Sequence, residues 1–415
     1  MKEAFSIPQF VDESLSRRLD VWHKLSGDYI DLDKERMSVG PNYDLADSLI
    51  DDLVNDLKSG GGQFLEDDRK AKSLFAALFN CEPDVILSNP FKRASIEFAR
   101  AAKRFDSGLR NADIYQAIRN LWIANSIQYL FDKKIAATPP LFAYSMLYPY
   151  SDNLLDDPAL SGAEKKEFNA RFRARLKGGR ITPSIPLEKK IFQLVELIEG
   201  FFERREYRMV YDSLMAIQEG QEKSAILSSA IPNSYETVCR ITFEKGGTSV
   251  LADGCLVCGH LEKEQAEFLM GYGIFLQLID DLQDIAEDSL HGQTTIFTIS
   301  PDGWGDEEAA RMIQFMFYVI DKANRTIPGK TGFFRMIENC CLTLAYRSIF
   351  NHMSCFTEGF LDCIEKTGFS REFYERQKRK LKELSQKDVA RLLNRLLPGQ
   401  DLSAESLNID QIITH

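Results

Sequence analysis

GYGIFLQLIDDLQDIAEDSLHGQ, Gly271–Gln293, is the stretch that decides how this chain reads. Ile274, Phe275, Leu276, Leu278 and Ile279 make an apolar body, and within two turns the sequence becomes strongly acidic. Each helical residue advances about 100°, so positions four apart fall about 40° from one another. Asp280, Asp284 and Asp288 therefore form a carboxylate stripe, and Gln277, Leu276 and Gly273 continue that face toward the apolar end. Stacked like charges repel and cost helix stability. A divalent, oxygen-seeking ion is the simplest compensation, and Mg²⁺ is held by a few carboxylates plus waters and substrate phosphates. The competing reading is a solvated acidic helix end. The apolar body favours acids placed at a cavity mouth.

The 415 residues carry 44% apolar and 27% charged side chains, ordinary for a globular chain. A net charge of −11 argues against nucleic-acid binding, and the one dense basic run, Arg371 to Lys382, reads as a solvated helix face. MKEAFSIPQFVDESLSRRLD at the amino terminus contains no long apolar run, so neither a signal peptide nor an integral membrane segment is expected. Cys255 and Cys258 form a CxxC near His260 with no second pair at zinc-ribbon spacing, which reads as buried helical thiols. A reduced, cytoplasmic chain is the expectation.

Apolar residues recur at three- and four-residue intervals along most of the chain, as at Ile114, Ile118, Leu121, Trp122 and Ile127. Thr138-Pro139-Pro140 opens a helix, since proline is tolerated in a first turn. Ser161 to Pro186 reads as a basic helix followed by a loop. Helical stretches follow at 187–211, 212–230, 234–260, 307–325, 331–366 and 371–397. Alternating strand patterns are nearly absent, so the fold class is all-α.

A second acidic helix end lies at Tyr148-Pro149-Tyr150-Ser151-Asp152-Asn153-Leu154-Leu155-Asp156-Asp157. Asp152 and Asp156 share a face with Tyr148 and Ser145, Asp157 points away, and Pro149 predicts a kink. Two helices thus repeat one pattern: an apolar body, a polar turn, carboxylates at i and i+4. The pair resembles the class I isoprenoid synthases: terpene synthases, trans-prenyltransferases and squalene/phytoene synthases. DNLLD at 152–156 is similar to the first metal motif in its DxxxD form. QLIDDLQD at 277–284 is similar to the QxxDDxxD of prenyl-chain synthases, and DIAED at 284–288 is similar to the phytoene-synthase stretch.

The resemblance implies an isoprenoid-synthase-type helical bundle with a central active-site cavity. It divides the chain into an N-terminal helical extension (1–62), the catalytic α-domain (63–370) and a charged helix with a polar tail (371–415). Two or three Mg²⁺ ions, held by Asp152, Asp156, Asp280, Asp281, Asp284 and Asp288, would clamp a prenyl diphosphate. Arg240, Lys245, Gln277, Tyr148 and Phe275 are the implied substrate contacts, with Arg171, Arg173 or Arg175 as further cations. Phe142, Tyr272, Trp122, Phe315 and Tyr318 are aromatic candidates for carbocation stabilisation, and a core role is the competing reading for each. Gly246-Gly247 interrupts a helical pattern, either as a helix break facing substrate or as a site of close helix packing. Chain-elongating enzymes carry a GGKxxRP-like segment before the first motif, and none precedes Asp152. That absence favours a terpene synthase ionising one prenyl diphosphate of C15 or longer. The alternatives are an enzyme condensing two prenyl diphosphates, as squalene and phytoene synthases do, and a non-catalytic helical binding protein. The lipid-like substrate admits transient membrane contact, and the fold admits a homodimer.

Overall fold

Two helices apolar on nearly every face sit at the centre, because a helix without a polar side can only be buried on all sides. They are α11 (Tyr235–Cys258) and α12 (Lys263–Gln283), the most extensively packed pair in the computed structural model. The structure describes residues 5–388 apart from 39, 61–62, 157–159, 229–232, 300–302 and 386. The side chains of residues 65, 66, 148, 152, 153 and 156 also lie outside the description. Among the described residues every regular element is helical.

The chain opens with α1 (Ile7–Lys24), α2 (Tyr43–Lys58), α3 (Gln63–Glu66), α4 (Asp68–Phe79) and α5 (Asn89–Phe105). Then come α6 (Asn111–Leu130), α7 (Pro139–Asp156), α8 (Gly162–Leu176), α9 (Pro186–Glu199) and α10 (Arg208–Ser224). After α11 and α12 follow α13 (Ile285–His291), α14 (Asp306–Thr326), α15 (Thr331–Asn351), α16 (Glu358–Glu365) and α17 (Arg371–Lys382). Around the central pair, α1, α6, α7 and α10 pack on α11, while α1, α14 and α15 pack on α12.

Helix α1 shows how sequence period becomes packing. Ile7, Phe10, Val11, Leu15, Leu19 and Trp22, at three- and four-residue spacing, are all buried in the main core. Trp22 meets Phe243 of α11 edge-on at 5.5 Å and Phe315 of α14 at 6.2 Å, and fully burying one such ring stabilises by roughly 1.5–3 kcal/mol. Pro8 lies in the first turn of α1 and opens that helix instead of breaking it. A smaller cluster, Ile50, Leu53, Val54, Leu57, Phe64 and Leu384, joins the α2 region to the end of α17.

Glycines let α11 and α12 approach. A Cβ on Gly246 would lie 2.6 Å from the Gly273 carbonyl oxygen and overlap the Gln277 side chain, and a Cβ on Gly247 would lie 2.6 Å from Met270. Helix α11 runs unbroken through both glycines, so of the two sequence readings the packing one holds. All eight cysteines are free, and burial pushes the Cys255 thiol up to about 12 and Cys258 to about 11. No helix among the described residues is long and apolar enough to cross a membrane.

Candidate active site

The acidic stripe sits where α12 ends. The sequence pattern extends one helix through the whole motif, whereas α12 stops at Gln283 and α13 starts at Ile285. Asp284 is the junction, with φ −100° and ψ 9°. Its N–H still donates to the Asp280 carbonyl at 3.0 Å, and the Asp288 N–H donates to the Asp284 carbonyl at 2.8 Å. The i, i+4 alignment therefore survives the junction. Negative side chains stacked at a helix C-terminus oppose both one another and the helix dipole, which accounts for a break at this point.

The electrostatics record the same conflict. Asp281 is buried; Gln277 Nε2 donates to its Oδ1 at 2.8 Å, and its Oδ2 has no hydrogen-bond partner among the described groups. Burial first, then the Asp280 charge, pushes the Asp281 carboxyl up to about 7. Burial, with Asp280, Asp288 and Glu287, pushes Asp284 to about 7, and burial with Asp280 and Glu287 pushes Asp288 to about 6. Lys245, Arg119 and, at Asp288, His291 oppose these shifts. Lys245 of α11 acts on Asp281 and Asp288, and Arg119 of α6 acts on Asp284. Their pull does not offset burial and mutual repulsion.

Among the described residues no three His, Cys, Asp or Glu side chains stand close enough to hold an ion by themselves. The donors at this end are carboxylate oxygens, the hard set that suits Mg²⁺ over softer metals. One or two carboxylates completed by water and phosphate oxygen is the usual Mg²⁺ arrangement, and an orphaned buried Asp281 Oδ2 beside elevated carboxyls fits it. The side chains of Asp152, Asp156 and Tyr148 lie outside the described residues; only the α7 backbone, continuous through Pro149, is described there.

The other sequence-derived candidates separate. Lys245 and Gln277 stand with the acids, as above. Arg240 is exposed on α11, five residues before Lys245 and therefore about 140° around the helix from it. Phe275 is 1% exposed and belongs to the core. The three arginines of α8 are committed elsewhere: Arg171 to Glu188, Arg173 to Glu222, and Arg175 to Glu199. Phe142 packs on Phe98, Tyr272 on Phe268, and Trp122 donates to Ser95 Oγ at 2.9 Å, all packing roles.

Sequence reasoning missed Arg119, whose signal was that it is the one basic residue of α6. It also missed a polar cluster in which Asn120 Nδ2 donates to Ser145 Oγ at 3.0 Å and to Asp253 Oδ1 at 3.1 Å. That cluster ties α6, α7 and α11 together, and burial raises the Asp253 carboxyl well above its ordinary value. Beside α7, a cavity bordered by Tyr144, Leu147, Phe172 and Leu214 measures about 40 Å³, far below the roughly 300 Å³ at which small-molecule pockets begin.

No family model matches the chain, and no curated protein matches it. Solved structures do. One is a geranylgeranyl pyrophosphate synthase, at 12% identity and TM-score 0.32, covering 72% of this chain and 96% of that one. Another is the geranylgeranyl pyrophosphate synthetase of the archaeon Geoglobus acetivorans, at 13% identity and TM-score 0.30, covering 81% and 99%. A third, from Corynebacterium glutamicum, was solved with isoprenyl diphosphate and magnesium; it shares 13% identity at TM-score 0.23 and covers 85% and 99%. TM-scores this low carry no weight for the activity, which has to be judged from the residues.

Proposed function

We propose that the chain is a Mg²⁺-dependent isoprenoid synthase that ionises an allylic prenyl diphosphate. The observation that carries this reading is the elevation of Asp281, Asp284 and Asp288 at the end of a buried helix, with Lys245 and Arg119 facing them. Carboxylates that hold protons near neutrality are poised to exchange them for a metal. Asp280, Asp281, Asp284 and Asp288, together with Asp152 and Asp156, would hold Mg²⁺, which would supply Lewis-acid stabilisation of the leaving diphosphate. Lys245 and Arg119 add charge-assisted hydrogen bonds to its oxygens. Gln277 fixes Asp281, and the tight Gly246–Gly273 crossing fixes Lys245 relative to the acids.

Within that class the first reading is a terpene synthase acting on a single diphosphate of C15 or longer. Condensation of two prenyl diphosphates is the second, and the three solved structures are geranylgeranyl pyrophosphate synthases. The test is diphosphate release with Mg²⁺ from farnesyl and geranylgeranyl diphosphate, each alone and with isopentenyl diphosphate. Release from one substrate alone, abolished in Asp152→Ala and Asp280→Ala, with a product that has the mass of a single prenyl chain supports the first reading. A product with the mass of two joined chains, or turnover only when isopentenyl diphosphate is added, supports the second. Silence under both conditions refutes the proposal.

A further inference from the structure

A second charged cavity lies at the opposite end of α12. Thirteen residues separate Glu267 from Asp280, about 20 Å of helix, so this cavity is remote from the acids. It measures about 330 Å³ and opens between α1, α12 and α14. Arg17, Arg18, Lys263 and Lys322 line it against only two carboxylates, Glu264 and Glu267, leaving a formal excess of two positive charges. Three of the cations converge on one acid. Arg18 Nη1 and Lys322 Nζ each stand 3.0 Å from Glu267 Oε2, and Arg17 donates to Oε1. Glu267 is drawn down to about 2 by these partners, against the opposing effect of its own burial. Glu13, 3.7 Å from Arg17, is a second counter-ion, so two carboxylates face three cations.

Two further observations point to a ligand. Arg18 is 2% exposed, and its Nε–H is buried without a hydrogen-bond partner among the described groups, although Nη1 and Nη2 are both engaged. A buried, unsatisfied donor on a cation is costly, and an oxyanion would relieve it. Lys263 is the first residue of α12, so the helix dipole adds positive potential where cations already gather. The remaining wall is mostly apolar, with Phe268, Val319 and Ala323 all buried beside the hydroxyl-bearing Tyr318 and Thr326. A bare phosphate would leave much of 330 Å³ unfilled, and that volume lies at the lower end for small-molecule pockets.

We infer that this cavity binds a phosphate-class oxyanion carrying a short apolar substituent, independently of the acidic site. Arg17, Arg18 and Lys322 take the anionic head, and Phe268 and Val319 take the apolar part. The test is calorimetric titration of the full chain with inorganic phosphate and with butyl phosphate, in metal-stripped buffer at constant chloride ionic strength. Wild type binds butyl phosphate at one site, at least about five-fold tighter than inorganic phosphate because methylenes are buried. The double variant Arg17→Gln/Lys322→Gln weakens binding by about ten-fold or more, and Lys263→Gln, at the exposed rim, weakens it less. Lys245→Gln, at the other end of α12, leaves it unchanged. Absence of single-site binding to wild type overturns the inference. So does equal affinity for the two probes, retention of affinity in the double variant, or loss of binding in Lys245→Gln. Because no metal or prenyl chain is present, none of these outcomes depends on the synthase reading.

Discussion

The two ends of α12 gather opposite charges: its own acids at the C-terminus, against the helix dipole, and at the N-terminus cations that come mostly from α1 and α14. At the C-terminus, where the dipole is negative, Asp281 and Asp284 are pushed up to about 7 and Asp288 to about 6. At the N-terminus, where it is positive, three cations gather on Glu267, which is drawn down to about 2. The acidic end has only partial compensation from Lys245 and Arg119; the basic end carries an internal counter-ion that is too small for its company. At the acidic end the crowded carboxyls cost stability, whereas at the basic end the ion pairs on Glu267 contribute to it and leave Arg18 Nε unsatisfied. On the two proposals above, the ends of α12 would take ligands of opposite sign.

The largest expected effect breaks the acidic end. Asp280→Ala or Asp284→Ala should lower kcat/KM for diphosphate release by about 10³-fold or more, near 4 kcal/mol of transition-state stabilisation. Steady-state kinetics at saturating Mg²⁺ check this, and retention of activity within ten-fold would remove these acids from the chemistry. At the basic end the corresponding cut is structural. Glu267→Ala leaves Arg18 buried and unpaired, which should cost roughly 3–5 kcal/mol in a urea titration. An unchanged midpoint would mean water already solvates Arg18.

Between the ends lies the glycine crossing. Gly273→Ala drives a methyl into the Gly246 carbonyl, backbone that cannot rotate away, and should cost about 1–3 kcal/mol. It should also lower kcat, because Lys245 sits beside Gly246 and moves with it. Stability lost with kcat intact would show that the crossing sets packing and not site geometry.

The all-α class and the acidic stripe were legible because both rest on local period. Three- and four-residue apolar spacing writes a helix directly, and i, i+4 acids write a stripe. The junction at Asp284 was not legible, since it follows from charge repulsion competing with helix propagation, a balance that periodicity does not record. The arginines of α8 illustrate the same limit. Arg171, Arg173 and Arg175 stand in a run that reads as a cationic substrate contact, and their acceptors, Glu188, Glu222 and Glu199, lie on other helices. Arg119 went unremarked for the converse reason, because its partner Asp284 is far away in sequence. The cavity around Glu267 needed three helices to meet before its charge imbalance existed at all.

The smallest effect is also the sharpest test of the contrast, because the two ends should respond to pH with opposite sign. The acids at Asp281, Asp284 and Asp288 titrate above their ordinary value of 3.8, so the folded chain holds protons that the unfolded chain has lost. Their contribution to metal-free stability is full below about pH 4 and disappears as pH rises through 6 to 7. Glu267 titrates below its ordinary 4.5, so its contribution is full above that value and is lost as pH falls toward 2. Mg²⁺ must displace the protons on the acids, so its stabilising effect should grow from pH 6 to pH 8. Asp284→Asn removes one of the repelling charges and should stabilise the metal-free chain at pH 8 by about 1 kcal/mol while weakening the Mg²⁺ response. Thermal melts with and without Mg²⁺ across pH 5 to 8 measure these effects, and metal-free melts from pH 5 down to pH 2 measure the response of Glu267. A metal-free stability that rises from pH 5 to 8, with a Mg²⁺ shift independent of pH, would mean that the acids are ionised and solvated, and the acidic end would then be an ordinary helix terminus.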